Sequence, residues 1–159
     1  MKIREWFNKW NFTSLKINTH FLELELDFTD TDKEAAWEMY VELLTRTTTQ
    51  KLDDETGVEK TALTSIFSLF PTTRSILKAN GSSCVQFTKI AIIILNQVIR
   101  PFTAKWHKKS MENAFDDPLE CAAFRHDLRD LQVELGNYTG MLSEIAGVED
   151  LTYLEGHAT

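Results

Sequence analysis

The chain of 159 residues is 43% hydrophobic and 26% charged, a balance that suits one globular domain with its own core and excludes disorder as the dominant state. Six Gly and three Pro supply too few tight turns for an all-β sandwich, so composition favours helix. A formal net charge of −7 argues against a protein built mainly to grip nucleic acid, whose phosphates call for a basic field.

The first predicted element is a short helix, because Ile3, Trp6, Phe7 and Trp10 fall on one face at i, i+3, i+4, i+7 spacing. It reads either as a terminal helix docked on the core or as an aromatic arm for a partner; a membrane-surface helix is the weaker third option for so short a segment. Leu22, Leu24, Leu26 and Phe28 then alternate with acids, and Leu15 and Ile17 flank Lys16 in the same manner. With Asn18-Thr19-His20 as the turn, this period of two predicts a β-hairpin. Thr29-Asp30-Thr31-Asp32 predicts an N-cap, followed by a helix to about Arg46 carrying Ala36, Trp37, Tyr40, Val41, Leu43 and Leu44. Thr45 to Gln50, with four Thr, reads as a helix end or loop, and Asp53 to Gly57 as a polar loop.

From Glu59 a second apolar stripe runs through Ala62, Leu63, Ile66, Phe67 and Phe70. Pro71 starts or kinks a further piece with Ile76 and Leu77, closed by Asn80-Gly81. Ser82 and Ser83 are candidate caps for a central helix from Val85 to about Ile99, apolar nearly all round. Pro101 interrupts it, and Phe102 to Lys109 continue as a kinked second half. Asp116-Asp117-Pro118 opens the last helix, whose stripe runs from Leu119 through Phe124, Leu128, Leu131, Leu135, Tyr138, Leu142 and Ile145 to Gly147. Within it Gly136 and Gly140, four apart, suit either a close neighbour or a neutral surface. Val148, Leu151, Tyr153 and Leu154 are expected to fold back over the bundle.

The fold expected is mainly α, a bundle of four to five main helices with a short N-terminal amphipathic helix and β-hairpin. As one domain, residues 1–159 divide into helix plus hairpin (1–30), bundle (31–147) and C-terminal tail (148–159). Cys84 and Cys121 lack zinc-ligand neighbours and read as buried free thiols of a cytoplasmic protein. No secretory signal is recognisable at residues 1–10, and the apolar run from Ile90 to Leu95 is far shorter than the ~20 residues that span a bilayer. No membrane partner is expected.

Phosphate-cradling loops, nucleophile elbows and dinucleotide fingerprints are missing from the sequence, and His20, His107, His126 and His157 do not pair at helical spacing. No cofactor and no metal site is expected. Glu112, Asp116, Asp117 and Glu120 surround the start of the last helix, where negative charge suits the dipole. Charge is uneven: residues 110–159 hold 11 acids and 2 bases, residues 1–109 hold 13 acids and 15 bases. Arg100, Lys105, Lys108 and Lys109 make a stretch without an acid.

That stretch also contains Asn96, Trp106 and His107. Asn96 reads as a register-fixing hydrogen-bonding group, and Arg100 as a cap for carbonyls freed by Pro101 or a partner for Glu42. The spacing of Arg100 and His107 resembles the ribonuclease motif of HEPN-superfamily domains, which are also helical bundles. Pro101 stands where members of that family place a polar residue. The resemblance implies metal-independent RNA cleavage across a homodimer, with His107 as acid/base group and Arg100 stabilising phosphate charge. The leading expectation is different: a non-enzymatic interaction or accessory module working with another protein or with itself. Its interface residues are Trp6, Phe7, Trp10, Lys105 and Trp106, and nucleic acid is a partner only under the ribonuclease reading.

Overall fold

Several helix boundaries in the computed structural model, which describes residues 1–12, 15–46, 51–55 and 57–154, have a local cause. Helix α1 (Ile3–Lys9) buries Ile3, Trp6 and Phe7. A single turn, α2 (Thr19–Leu22), begins where the Asn18 side chain accepts the His20 N–H. Helix α3 (Asp30–Leu44) opens on a reciprocal capping box between Thr29 and Asp32. Next come α4 (Glu59–Phe67), α5 (Leu69–Asn80), α6 (Val85–Ile93), a π-helical segment (Ile94–Ile99), α7 (Arg100–Met111) and the long α8 (Pro118–Ala146). Helix α8 packs along α3, with α4, α5, α6 and α7 completing a helical bundle. No helix among the described residues is long and apolar enough to cross a membrane.

The expected β-hairpin is not formed. Residues 15–18 run without regular structure, and α2 occupies the predicted turn. The pairing that does occur is an isolated antiparallel bridge between Lys2 and Glu25, with Ile3 N–H on the Leu24 carbonyl at 3.0 Å and Leu26 N–H on the Met1 carbonyl at 3.0 Å. Two sequence signals compete here. Asn18 suits a turn, yet its Oδ1 caps a helical turn from 2.8 Å. Of the alternating residues only Leu26 is fully buried, so the apolar face lacks the burial that would fix a strand register.

The central column, α6 through α7, runs helically past Pro101. Proline lacks an N–H and crowds the preceding turn, and the column answers with the π segment, in which the Arg100 N–H reaches back to the Leu95 carbonyl. Inserting the wider turn just before the proline lets the helix continue instead of breaking. Ser82 and Ser83 do not cap α6; its N-cap is Cys84, without a side-chain cap bond. The cap comes from across the bundle. Asp32, fully buried, accepts the Phe87 N–H on Oδ1 at 2.9 Å and the Thr29 N–H on Oδ2 at 2.9 Å. One carboxylate thus serves the first turns of two helices.

The α4–α5 junction is clamped from α3. Arg46 donates to Ser68 Oγ and to Thr72 Oγ1 at 2.7 Å while paired with Glu42. Pro71 lies in the first turn of α5, where its missing N–H costs nothing. At the far end Gly147, at φ 70°, ends α8 in the left-handed conformation, and the Val148 N–H closes on the Ser143 carbonyl at 3.0 Å. The tail then returns to α3: buried Tyr40 donates its hydroxyl to the Glu149 carbonyl at 3.2 Å and accepts the Leu151 N–H at 2.8 Å. The covering is partial, since Val148, Tyr153 and Leu154 remain exposed. Residues 47–50, most of the threonine run, and His157 lie outside the described residues.

Candidate functional site

The five expected interface residues separate into core and surface. Trp6, Phe7 and Trp106 are buried, so their rings hold the fold and offer no free face; that part of the assignment is corrected. Burial follows from neighbours the linear pattern does not show. Trp6 packs on Phe28 at 5.5 Å between centroids, and Phe7 meets Phe12 edge-on at 5.9 Å. Trp106 stacks on Phe115 at 6.0 Å and meets Phe124 edge-on at 5.2 Å. Lys105 is exposed but tied to Asp127 at 2.6 Å, and Lys109 to Glu120 at 2.8 Å. Both ammonium groups sit over the Trp106 ring, at 5.1 and 5.2 Å from its centroid. Asp127 also accepts the Trp106 indole N–H at 3.0 Å. Burial works to raise the Asp127 carboxyl, but the hydrogen bonds from Lys105 and Trp106 outweigh it and hold the group below its usual range.

Arg100 and His107 are both exposed on α7. Seven residues apart, they share one helix face, about 10.5 Å from each other along the axis. Each rests on a different ring: the Arg100 guanidinium lies 4.8 Å from the Phe70 centroid, and His107 meets Phe67 edge-on at 5.4 Å. Arg100 takes neither of its expected partners. Its Nε donates to Asn96 Oδ1 at 3.1 Å, while Glu42 belongs to Arg46. Asn96 is itself exposed and fixes no contact between helices. Beside His107 a hollow of about 280 Å³ is lined by Lys60, Leu63, Thr64, Phe67, Ser110 and Met111.

A larger groove opens on the outer face of α8, about 660 Å³, between Trp10, Lys51 and the tail residues Asp150, Thr152 and Tyr153. Its floor is α8 itself, from Arg129 through Val133, Gly136 and Asn137 to Gly140. The two glycines differ. A Cβ on Gly140 would meet Trp10 Cζ3 at 2.6 Å, whereas a Cβ on Gly136 would meet nothing within 4 Å. Gly140 lets the indole lie against the helix; Gly136 leaves the floor of the groove open. Val133 is 66% and Tyr153 70% exposed, so the walls offer apolar surface beside two cations and one acid. The Trp6 and Trp10 indole N–H groups are buried without an acceptor among the described residues, an arrangement that costs roughly 1–3 kcal/mol for each group. Of the groove, Trp10, the glycine spacing and Tyr153 carry a signal in the sequence; Arg129 and Val133 lie off the apolar stripe of α8 and carry none.

Among the described residues no group of His, Cys, Asp and Glu gathers three ligands for a metal ion. Two of the four acids at the start of α8 are occupied: Asp117 caps the Leu119 N–H at 2.9 Å, and Glu120 holds Lys109. Both cysteines are free. Burial pushes the Cys121 thiol up, and the neighbouring Glu59 charge adds to it, which keeps the reactive thiolate scarce. Compared with family models, with curated proteins and with solved structures, the chain matches none.

Proposed function

We propose that this chain is a non-catalytic cytoplasmic accessory module that acts with a partner protein through the groove on the outer face of α8. The observation that carries the reading is the open floor at Gly136, flanked by exposed Val133 and Tyr153. A helix interior normally disfavours glycine by ~1 kcal/mol relative to alanine, and here the saving in bulk serves no contact among the described residues. Room for a partner's side chain against the α8 backbone accounts for it. The occupant fitted by these walls is an apolar-anchored protein segment, with Arg129, Lys51 and Asp150 as a polar rim. The two free thiols fit a reducing compartment.

The test is capture from the native host with the tagged full chain, comparing wild type with Val133→Asp and Gly136→Gln. A protein retained in stoichiometric amount by wild type and lost with both variants supports the reading. A protein retained equally by all three places the interface elsewhere.

A second reading, the homodimeric ribonuclease, is favoured by the exposure of Arg100 and His107 on one face of α7. Within one chain each group is anchored on its own ring, so a shared phosphate requires a second copy. Cleavage of RNA in EDTA, abolished by Arg100→Ala and by His107→Ala, is the outcome it requires.

A further inference from the structure

From Lys60 to Met111 the sequence contains no Asp or Glu, while Lys60, Arg74, Lys78, Lys89, Arg100, Lys105, Lys108 and Lys109 all fall within it. This interval is α4 after its first residue, Glu59, through α7, so the net charge of −7 is the sum of a basic unit and a strongly acidic remainder. Lys105 and Lys109 are neutralised by α8 acids. Lys60, Arg74, Arg100 and Lys108 have no ion pair among the described residues. Arg74, Arg100 and Lys108 are exposed.

These cations alternate with flat rings. Lys60 and His107 share the hollow that Phe67 walls. Phe67, 36% exposed, sits on one side of the Ser68 break, and half-buried Phe70 on the other, under Arg100. Arg74 follows Phe70 by one helical turn, on the same side of α5. The Arg46 clamp on Ser68 and Thr72 fixes the corner, so both phenyl rings are held in place beside α7.

We infer that this strip, Lys60–Phe67–His107 continuing into Phe70–Arg100–Arg74, binds single-stranded nucleic acid. Unpaired cations supply the phosphate contacts, and an exposed phenyl ring supplies a stacking surface that splayed bases, unlike duplex edges, can use. The hollow beside His107, at about 280 Å³, has room for one base. An acidic protein would satisfy the cations but leave the rings without a planar partner. The inference concerns binding alone and is independent of the α8 groove.

The experiment is fluorescence anisotropy on the full chain in EDTA, with a labelled oligouridylate, the matching duplex, and polyaspartate as competitor. The expected result is oligouridylate binding whose log affinity falls with log salt at a slope of about −2 for three phosphate contacts. Arg100→Gln or Arg74→Gln should lessen that slope by roughly 0.7 each. Phe67→Leu, which keeps apolar bulk and removes the ring, should weaken binding roughly tenfold with the slope unchanged. Circular dichroism of each variant checks the fold, and the glutamine variants carry the test should Phe67→Leu fail to fold. No binding at 50 mM salt, duplex binding as tight as single strand, or full displacement by polyaspartate with Phe67→Leu unaffected would each overturn the inference; the last assigns the strip to an acidic protein.

Discussion

Trp10 lies across α8 at Gly140, so close that a Cβ there would approach the indole to 2.6 Å. The junction between α1 and α8 therefore requires glycine at that position. Gly140→Ala should drive the indole from its seat and lower stability by about 1–3 kcal/mol, roughly 2–4 °C in Tm for each kcal/mol in a chain of this size.

One turn earlier the sign reverses. Gly136 is helical and open, so Gly136→Ala should raise stability by about 0.5–1 kcal/mol through helix propensity alone. Thermal melts of the two alanine variants decide both expectations at once. Equal losses in the pair would mean that the groove floor is closed.

Asp32 joins the first turns of α3 and α6 through hydrogen bonds to Thr29 and Phe87. Asp32→Ala leaves the buried Phe87 N–H and the part-buried Thr29 N–H unpaired, and chemical denaturation should show a loss of about 2–4 kcal/mol. A loss under 1 kcal/mol would show that other groups cap both helices.

Part of this architecture was written locally. Thr29 and Asp32, Asn80-Gly81, Asp117-Pro118 and Gly147 mark helix ends because caps are made by near neighbours. The failures share the opposite cause. Asp32 caps α6 across 55 positions, and a contact of that range leaves no periodic trace. Asn18 suits a turn or a helical start equally well, so the alternation after it was read as a strand. Trp6, Phe7 and Trp106 looked like anchors because aromatic richness is common to cores and interfaces; only Phe12, Phe28, Phe115 and Phe124 decide between them. The net charge is a single sum, and it conceals an interval free of acids.

The Asp127 carboxyl is held below its ordinary range by Lys105 and Trp106 despite burial. Unfolded, an Asp titrates near about 3.9, and the folded group titrates lower. Its contribution is therefore complete above that value and is lost as pH falls through the folded one. Wild type should melt higher than Asp127→Asn near neutrality, with the gap narrowing below about pH 4. A gap constant down through that range would mean that the carboxylate charge does not matter there.

The central claim is that a partner protein seats on the outer face of α8. Hydrogen–deuterium exchange of the captured complex against the free chain tests it most directly. The account predicts slowed exchange in Asp150–Tyr153 and along α8 from Arg129 to Gly140, with Lys60–Phe70 and Arg100–Met111 unchanged. Slowed exchange confined to those last two segments, with α8 unaffected, would contradict it.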